Sequence, residues 1–359
     1  MNVTIFIGGL SGGGAERVCC NIANYLVSKK HNVDIVTMAD DVSSYEINTA
    51  VKRISLLYEV ERKNFLYNTI VRYRRLIQYM RKTNCDVIVA MLPVTILSVL
   101  LLKPLSKAKI IAAERNMPAL YSQYEQIFLK IFAHRADGWV FQTDIQKEWY
   151  GRTVMDKRTI VIPNAINPEF VRPCYQSHRD KRIVTVGRLS RQKNHKLLID
   201  AFASVNLRYP EFVLEIYGQG SMLEELKMYV ESKDLRGRVK FMGYCSDIGE
   251  KIKSASMFVL SSDYEGIPNS LMEAMALGLP CVSTDTIGGG ARLLITDKEN
   301  GLLVPICDEE KLSAAMCKIL SDVDFARSIG LAAHRVLIDY APNVIYNQWE
   351  NYISSIYHG

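Results

Sequence analysis

The order of short β-branched runs, glycine turns and helical stretches limits the possible folds of this chain more than any other feature. Val3–Ile7 leads into the glycine-rich turn Gly8–Gly14, and the helical stretch Glu16–Lys29 follows with its apolar residues on one face. Parallel strands need helical crossovers and are buried on both faces, so this order predicts a doubly wound α/β sheet. The further strands predicted in this half are Val33–Met38, Val87–Met91, Ile110–Ala113, Gly138–Phe141 and Thr159–Ile162.

A second series of the same kind follows a proline-rich, polar linker. With 359 residues, two domains of ordinary size are expected. We therefore predict Rossmann-like domains over residues 1–168 and 178–340, and a final segment, 341–359, that forms a helix packing back toward the first domain. The strands predicted in the second series are Arg182–Val186, Phe212–Tyr217, Val239–Met242, Met257–Leu260, Pro280–Ser283 and Gly301–Val304.

Composition excludes several classes of protein. A hydrophobic fraction of 48% with 23% charged residues excludes a disordered chain. The eight cysteines include no CxxC pair, so we expect reduced thiols and neither disulfides nor zinc. Met1–Leu10 is interpreted as a first strand and not as a secretory leader. The longest uncharged stretch, Val87–Leu102, is too short and too interrupted to span a bilayer.

Positive charge is concentrated in the first half of the chain. Residues 1–170 hold 22 Lys and Arg against 15 Asp and Glu, whereas residues 171–359 hold 22 against 23. This asymmetry indicates an anionic partner for the first domain. No nucleic-acid recognition motif accompanies the basic residues, so nucleic acid is not expected and a membrane surface is favoured.

One stretch, SDYEGIPNSLMEAMALGLPCVST, places two acids eight residues apart around the start of a predicted helix, Ser270–Leu277. The backbone amides of Gly266, Ile267 and Asn269 would point from that helix N-terminus toward an anion. Glu273, on the second turn, could then accept hydrogen bonds from ribose hydroxyls. Glu265 could reach the other substituent on the same phosphate. Taken alone, two acids at this spacing favour the ordinary interpretation, in which Glu273 is a solvated helical acid and Glu265 a loop charge.

A second motif, VGRLSRQKN, adds two cations after the end of a strand. Arg188 follows the glycine that ends the strand, and Lys193 comes five residues later, just before a helix. Cations at the mouth of a parallel sheet suit a pyrophosphate, whose charge grows as a glycosidic bond breaks. They could take the place of a divalent metal.

Together, SGGGAERV, IPNAIN, VGRLSRQKN, IYGQGSMLEEL, MGY and EGIPNSLMEAMALGLPCVSTD resemble the motifs of the retaining nucleotide-sugar glycosyltransferases of family 4. The resemblance covers nearly the whole chain in the expected order. It implies the GT-B fold, in which two Rossmann-like domains face a central cleft. The pattern is most similar to bacterial enzymes that extend lipid-linked oligosaccharides, O-antigens and capsules.

The resemblance implies roles for individual residues. Glu265, Arg188 and Lys193 would be catalytic, the first beside the donor sugar and the two cations on the diphosphate. Glu273 would hold the ribose and Tyr244 the uracil. The other residues implied to bind substrate are Gly13 and Gly14, which close over the phosphates, the acceptor-side loop Glu114, Arg115 and Asn116, and the turn Gly266, Ile267, Pro268, Asn269 and Ser270.

The implied reaction is the transfer of a sugar from a UDP-sugar to a polyprenyl-diphosphate-linked saccharide, with retention and without a metal. No cofactor is expected besides the UDP-sugar substrate, and the enzyme would be peripheral on the cytoplasmic face of the membrane. UDP-GalNAc, UDP-Gal, UDP-Glc and UDP-GlcNAc all fit, and analogy favours the first two. Many relatives have a histidine in the loop occupied here by Glu114–Asn116, so no acceptor base is identified.

Two other functions fit the same motifs. One is a phosphorylase or sucrose-synthase-like activity on the same scaffold. The other is a non-catalytic partner or sensor that binds a sugar nucleotide. A dinucleotide site is disfavoured because Arg17 stands where the fingerprint needs a third glycine, and the Asp322–Asp324 pair is interpreted as a helix cap and not as a metal motif.

Two aromatic stretches of the first half, and one histidine, have open interpretations. Tyr58–Lys82 holds seven Lys and Arg among its apolar residues. It fits a membrane surface or an anionic polyprenyl diphosphate acceptor, or else a solvated helix that packs its apolar face on the sheet. In Tyr121–Phe132, core packing of the aromatic side chains is favoured over an acceptor groove. His195 is expected to touch the diphosphate loop or to be a capping or surface residue.

Overall fold

The computed structural model forms two compact units, each built around one parallel sheet. Unit 1 comprises residues 1–164 and 343–359, and unit 2 comprises residues 165–342. The residues that the structure describes are 1–40, 43, 45–154 and 157–359.

The sheet of unit 1 has seven parallel strands in the order β3-β2-β1-β4-β5-β6-β7. Six of these strands were predicted, to within one residue at each end. The edge strand β3 was missed, because it is short and mostly polar and its burial is incomplete. The strands are β1 (Asn2–Ile7), β2 (Asn32–Thr37), β3 (Lys52–Ser55), β4 (Val87–Met91), β5 (Lys109–Ala113), β6 (Gly138–Phe141) and β7 (Arg158–Val161).

Helices cover both faces of this sheet. Right-handed crossovers place the first helix on one face and the next four on the other, because the strand order reverses after β3. Side chains from α2, α3 and α4 (Leu76, Val99 and Leu129) accordingly share one buried cluster. The helices are α1 (Gly14–Ser28), α2 (Phe65–Lys82), α3 (Pro93–Leu102), α4 (Gln123–Phe132) and α5 (Asp144–Tyr150).

The last helix of the chain packs on unit 1. This helix, α14 (Pro342–His358), buries Trp349 completely. Its Tyr352 hydroxyl donates to the backbone carbonyls of Trp139 and Arg158, at 3.1 and 2.6 Å, next to the ends of β6 and β7.

Unit 2 holds a six-stranded parallel sheet in the order β10-β9-β8-β11-β12-β13. All six strands were predicted, with ends that differ by at most two residues. They are β8 (Asp180–Val186), β9 (Val213–Tyr217), β10 (Val239–Gly243), β11 (Ala255–Leu260), β12 (Cys281–Thr284) and β13 (Leu302–Val304).

The strand order reverses between β8 and β11, which is where ligands bind in open α/β sheets. The loops after these two strands lead into α6 and α9. Asp322, the first acid of the DxD pattern, caps α12 by accepting a hydrogen bond from the Phe325 amide at 2.9 Å. The helices of this unit are α6 (His195–Arg208), α7 (Leu223–Ser232), α8 (Ile248–Ile252), α9 (Asn269–Ala276), α10 (Gly290–Leu294), α11 (Glu309–Ser321), α12 (Val323–Ala333) and α13 (Val336–Asp339).

The doubly wound α/β architecture predicted from the sequence is therefore confirmed in both units.

Candidate functional site

Two loops at the carboxyl edge of the unit 2 sheet bring Lys193 and Glu265 together. Lys193 ends the short turn that follows β8, and Glu265 lies in the loop after β11. The Lys193 Nζ donates a hydrogen bond to Glu265 Oε1 over 2.5 Å, and the exposed fractions of the two side chains are 16% and 10%. β8 and β11 are neighbours in the sheet, so these residues meet although they are far apart in sequence.

The Glu265 carboxylate has two further donors. The Ser262 hydroxyl donates to Oε1 at 2.8 Å, and the Gln192 side-chain amide donates to Oε2 at 3.3 Å. Hydrogen bonds to a charged acceptor are strong and fix its orientation. The Lys193 ammonium has three N–H donors, of which this pair uses one, so the cation keeps capacity for a phosphate oxygen.

Further hydrogen bonds join the two loops. The Asn194 side-chain amide donates to Asp263 Oδ1 at 2.8 Å, and the Asp263 amide donates to the Gln192 carbonyl at 3.0 Å. The Ser261 hydroxyl donates to the Lys193 carbonyl at 2.9 Å. The loops are thus held as one structure, which fixes the position of the ammonium against the carboxylate.

The turn Gly266–Pro268 leads from this cluster into α9. Pro268 is the N-cap and Asn269 the first helical residue, so α9 begins one residue earlier than predicted, and Ser270 lies in its first turn. The first amides of a helix have no partner within it and favour an anion. Glu273 lies in the second turn of α9 and is 7% exposed.

A close backbone approach holds this turn against the glycine loop after β12. A Cβ atom at Gly290 would lie 1.5 Å from the Gly266 carbonyl oxygen. The Glu265 amide donates to the Ile287 carbonyl at 3.1 Å, and the Ile287 amide donates to the Asp263 carbonyl at 3.0 Å. Only glycine allows the two loops to lie this close.

The remaining predicted residues of unit 2 lie at the carboxyl ends of strands but outside this cluster. Arg188 follows β8 and is exposed, and among the described residues nothing pairs with its guanidinium. Tyr244 follows β10 and is exposed. Neither side chain forms a hydrogen bond or an ion pair with Lys193 or Glu265.

The interpretation of His195 as a surface residue was wrong. His195 begins α6 and is buried. Burial, and then the nearby Lys193 charge, lowers its pKa to about 4, so the imidazole is neutral.

Ser262 and Gln192, the two polar partners of Glu265, were not singled out in the sequence. Both lie within three residues of a predicted site residue, at positions 262 and 192. A search of the loop neighbours of Glu265 and Lys193 could have found them.

In unit 1, the glycine turn after β1 leads directly into α1. Gly13 is the N-cap and Gly14 the first helical residue, and the Tyr45 hydroxyl donates to the Gly13 carbonyl at 3.0 Å. A Cβ at Gly13 would lie 2.1 Å from a carboxylate oxygen of Glu16.

The loop after β5 has two buried charged residues and one exposed polar residue. Glu114 accepts hydrogen bonds from the hydroxyls of Tyr121 and Tyr150, at 2.5 and 2.8 Å, and from the Arg115 amide at 3.0 Å. Burial raises the pKa of the Glu114 carboxyl, and the two tyrosine hydrogen bonds oppose this shift. Asn116 is exposed, so of the three predicted residues it alone presents its side chain to solvent.

Arg115 is buried, with only 5% of the residue exposed, and its guanidinium packs against the last helix of the chain. It lies over the Trp349 ring, 5.0 Å from the ring centroid, and donates a long hydrogen bond of 3.4 Å to Asn164 Oδ1. Burial lowers its pKa to about 10. Arg115 therefore joins the β5 loop to α14 and to Asn164, after which the chain enters unit 2.

The outer faces of α2 and α4 expose large apolar side chains. On α4 the exposed residues follow the spacing i, i+3, i+4, i+7, and Tyr124 is 78% exposed. The prediction that the aromatic residues of this stretch pack in the core was therefore wrong for Tyr124 and Phe128. The exposed apolar residues are Phe65, Leu66, Tyr67 and Ile70 on α2, and Tyr124, Ile127, Phe128 and Ile131 on α4.

Over the part of the chain that the structure describes, no helix combines the length and the apolar character that crossing a membrane requires. Within the same residues, no three His, Cys, Asp or Glu side chains are grouped so that they could hold a metal ion.

Two doubly wound parallel sheets, one of them with a cation, a carboxylate and a helix N-terminus at its carboxyl edge, define a GT-B glycosyltransferase architecture. Family models agree with it: residues 12–170 match the model described as Glycosyltransferase Family 4, and residues 172–336 match Glycosyl transferases group 1. The chain belongs to glycosyltransferase family 4.

Individual relatives support this assignment. The chain is 26% identical over 364 aligned residues, covering 99% of both chains, to the Campylobacter jejuni GalNAc-α-(1→4)-GalNAc-α-(1→3)-diNAcBac-PP-undecaprenol α-1,4-N-acetyl-D-galactosaminyltransferase. It is 34% identical over 231 residues to an exopolysaccharide phosphotransferase of Streptomyces coelicolor. That match covers 64% of this chain and 24% of the larger protein.

The crystal structure of Anabaena HepE in complex with UDP superposes with a TM-score of 0.81 at 18% identity, covering 99% of this chain and all of that one. At this level of identity the similarity concerns the fold.

Proposed function

We propose that this enzyme transfers a sugar from a UDP-sugar to a lipid-linked saccharide, with retention of configuration and without a metal ion. The observation that supports the donor site is the Lys193–Glu265 pair beside the N-terminus of α9. Lys193 would neutralise the diphosphate, the α9 amides would bind a phosphate oxygen, and Glu273 would hold the ribose. Arg188 would add a second cation, and Tyr244 would contact the uracil.

The proposed reaction is a same-face displacement. The bond from the anomeric carbon to the β-phosphate oxygen breaks, and a bond from the acceptor oxygen to that carbon forms on the same face. The acceptor hydroxyl proton passes to the leaving phosphate oxygen. The Glu265 carboxylate already accepts from Lys193, Ser262 and Gln192, which makes it a poor nucleophile and favours a role in holding the donor sugar.

On the acceptor side, Gly13 and Gly14 would close over the phosphates, and the exposed Asn116 would face the acceptor. Glu114 and Arg115 would shape this loop from within, because both are buried. The Campylobacter relative acts on an undecaprenyl-diphosphate-linked saccharide, which favours an acceptor of that class and a GalNAc or Gal donor.

We also propose that unit 1 binds the surface of an anionic membrane at its cytoplasmic face. The helix α2 carries five Arg and Lys and no acid, and α2 and α4 both expose apolar side chains. At a lipid interface the exposed aromatic side chains can enter the boundary of the acyl chains, while the basic residues are attracted to anionic headgroups.

A donor screen tests the enzymatic proposal. Purified protein would be incubated with EDTA, an undecaprenyl-diphosphate-linked saccharide extract, and UDP-GalNAc, UDP-Gal, UDP-Glc or UDP-GlcNAc in turn. We expect transfer from one donor, with the α-configuration of the donor kept in the product by NMR. Loss of transfer on chelation would contradict metal independence, and a β-linked product would contradict retention.

Calorimetric binding of UDP without transfer or hydrolysis of any donor would instead favour a non-catalytic sugar-nucleotide-binding partner or sensor.

A further inference from the structure

Unit 1 has a cavity of about 750 Å³ that the proposed reaction does not use. Strands β1, β2 and β3 and the C-terminal half of α2 line it, together with Tyr58 and the segment after α2. Cavities of this size hold small organic ligands. Thr4, on the cavity floor, lies three residues before β1 ends at the carboxyl edge of the sheet, a distance of about 10 Å.

The floor of this cavity is polar where a parallel sheet is normally apolar. Thr4 pairs in register with Asp34, and Asp34 pairs in register with Lys52, so the three residues form one row across adjacent strands. The next row on this face, Phe6, Val36 and Ile54, is apolar. Faces of parallel sheets are usually continuous hydrophobic surfaces.

A hydroxyl from α2 completes the polar floor. The Tyr79 hydroxyl donates to Asp34 Oδ2 at 3.1 Å, and it lies 2.6 Å from the Thr4 hydroxyl. Among the described side chains, the Tyr79 hydroxyl is the donor whose hydrogen bond the Asp34 carboxylate accepts within the cavity. An ionised carboxylate has acceptor sites for several donors, so Asp34 keeps room for ligand hydroxyls.

The rim of the cavity carries an excess of positive charge. Arg75 is neutralised by Glu61, to which it donates two hydrogen bonds of 2.6 Å. Lys52 and Lys82 are exposed, and in the described part of the chain neither forms an ion pair. With Arg75 neutralised by Glu61, Lys52 and Lys82 against Asp34 leave one net positive charge around the cavity.

We propose that this cavity binds an acidic saccharide, a sugar that carries a phosphate or a carboxylate. Sugar hydroxyls would donate to Asp34, and the acidic group would lie between Lys52 and Lys82. The Tyr58 ring on the wall offers an apolar face for the sugar carbons. The inference does not depend on the proposed transfer reaction, whose donor residues lie in unit 2.

Calorimetry on the full chain, saturated with UDP, tests the proposal with glucose 6-phosphate and glucuronate as probes. We expect saturable binding of one or both, which identifies the acidic group preferred. Combined Lys52→Met and Lys82→Met should weaken binding by about tenfold or more, because two charge-assisted contacts are lost. Asp34→Asn should weaken it as well, whereas the exposed Lys107→Met serves as a matched control and should not.

The UDP affinity of each variant is measured on the same samples. An unchanged value shows that the variant keeps its fold and its donor site, whatever happens to sugar binding at the cavity. The proposal would be overturned if neither acidic sugar bound. It would also be overturned if methyl glucoside or inorganic phosphate bound as tightly, or if Lys107→Met weakened binding as much as the cavity variants did.

Discussion

Lys193 and Glu265 form an ion pair whose geometry depends on hydrogen bonds between two loops. The Nζ–Oε1 distance is 2.5 Å, and Ser262 and Gln192 hold the carboxylate from other sides. A phosphate arriving beside Lys193 would therefore meet an ammonium that is already positioned, and catalysis gains when charged groups need no reorganisation.

Replacing Lys193 with alanine should reduce sugar transfer by about 10²–10³-fold, because a charge that stabilises the leaving diphosphate is lost. The measurement is UDP release with the donor identified by the screen. Lys196→Ala is the matched control, since Lys196 lies three residues away and pairs with Glu225. Equal activity of the Lys193 and Lys196 variants would contradict the assigned role.

Replacing Glu273 with glutamine should weaken UDP binding by about tenfold, because a carboxylate accepts ribose hydroxyls more strongly than a neutral amide does. The substitution keeps the size of a nearly buried side chain, so the melting temperature should change little. Calorimetric titration with UDP measures the effect. An unchanged dissociation constant would place the ribose elsewhere.

Replacing Gly290 with alanine should lower both stability and transfer. The added methyl group would lie 1.5 Å from the Gly266 carbonyl oxygen, so the turn before α9 must shift. Overpacking of this kind typically costs about 1–3 kcal/mol. Chemical denaturation and UDP titration of the same variant measure the two effects, and a variant that matches the parent in both would show that the loops separate freely.

Much of the candidate site could be predicted because its residues lie next to strand ends and glycine turns. Lys193, Glu265 and Glu273 follow such turns, and parallel topology alone brings the ends of β8 and β11 together. The Ser262 and Gln192 hydrogen bonds depend on side-chain directions within loops, which periodicity does not report.

The fold was predictable where strands are fully buried and strongly apolar, as in β4 and β6. It was not predictable at β3, whose sequence KRIS lacks a continuous apolar run. The exposure of Tyr124 and Phe128 was missed for a related reason. An amphipathic pattern identifies an apolar face but does not say whether the protein or another surface covers it.

Stability should fall between pH 6.5 and pH 4 through His195. Its pKa is about 4 in the folded chain and near 6.5 when unfolded, so the unfolded state binds a proton over this interval and the folded state does not. The contribution is present above pH 6.5 and is lost as the pH falls, by up to about 3 kcal/mol. Urea denaturation of the parent and of His195→Leu at pH 7.5, 6 and 4.5 isolates it, because other groups titrate in both. Parallel loss of stability in the two proteins would contradict this.

Membrane binding should depend on the exposed face of α4. Tyr124→Ser combined with Phe128→Ser should reduce binding to vesicles of phosphatidylglycerol and phosphatidylcholine by about tenfold or more, because two large apolar side chains no longer enter the interface. Both residues are exposed, so the melting temperature should be unchanged. Leu207→Ser combined with Val323→Ser is the matched control, since these exposed residues lie in unit 2. Vesicle sedimentation measures binding.

If the two double variants bound equally to vesicles, α4 would not be the contact surface. A change in oligomeric state limited to the α4 variant would instead assign this face to a second copy of the chain.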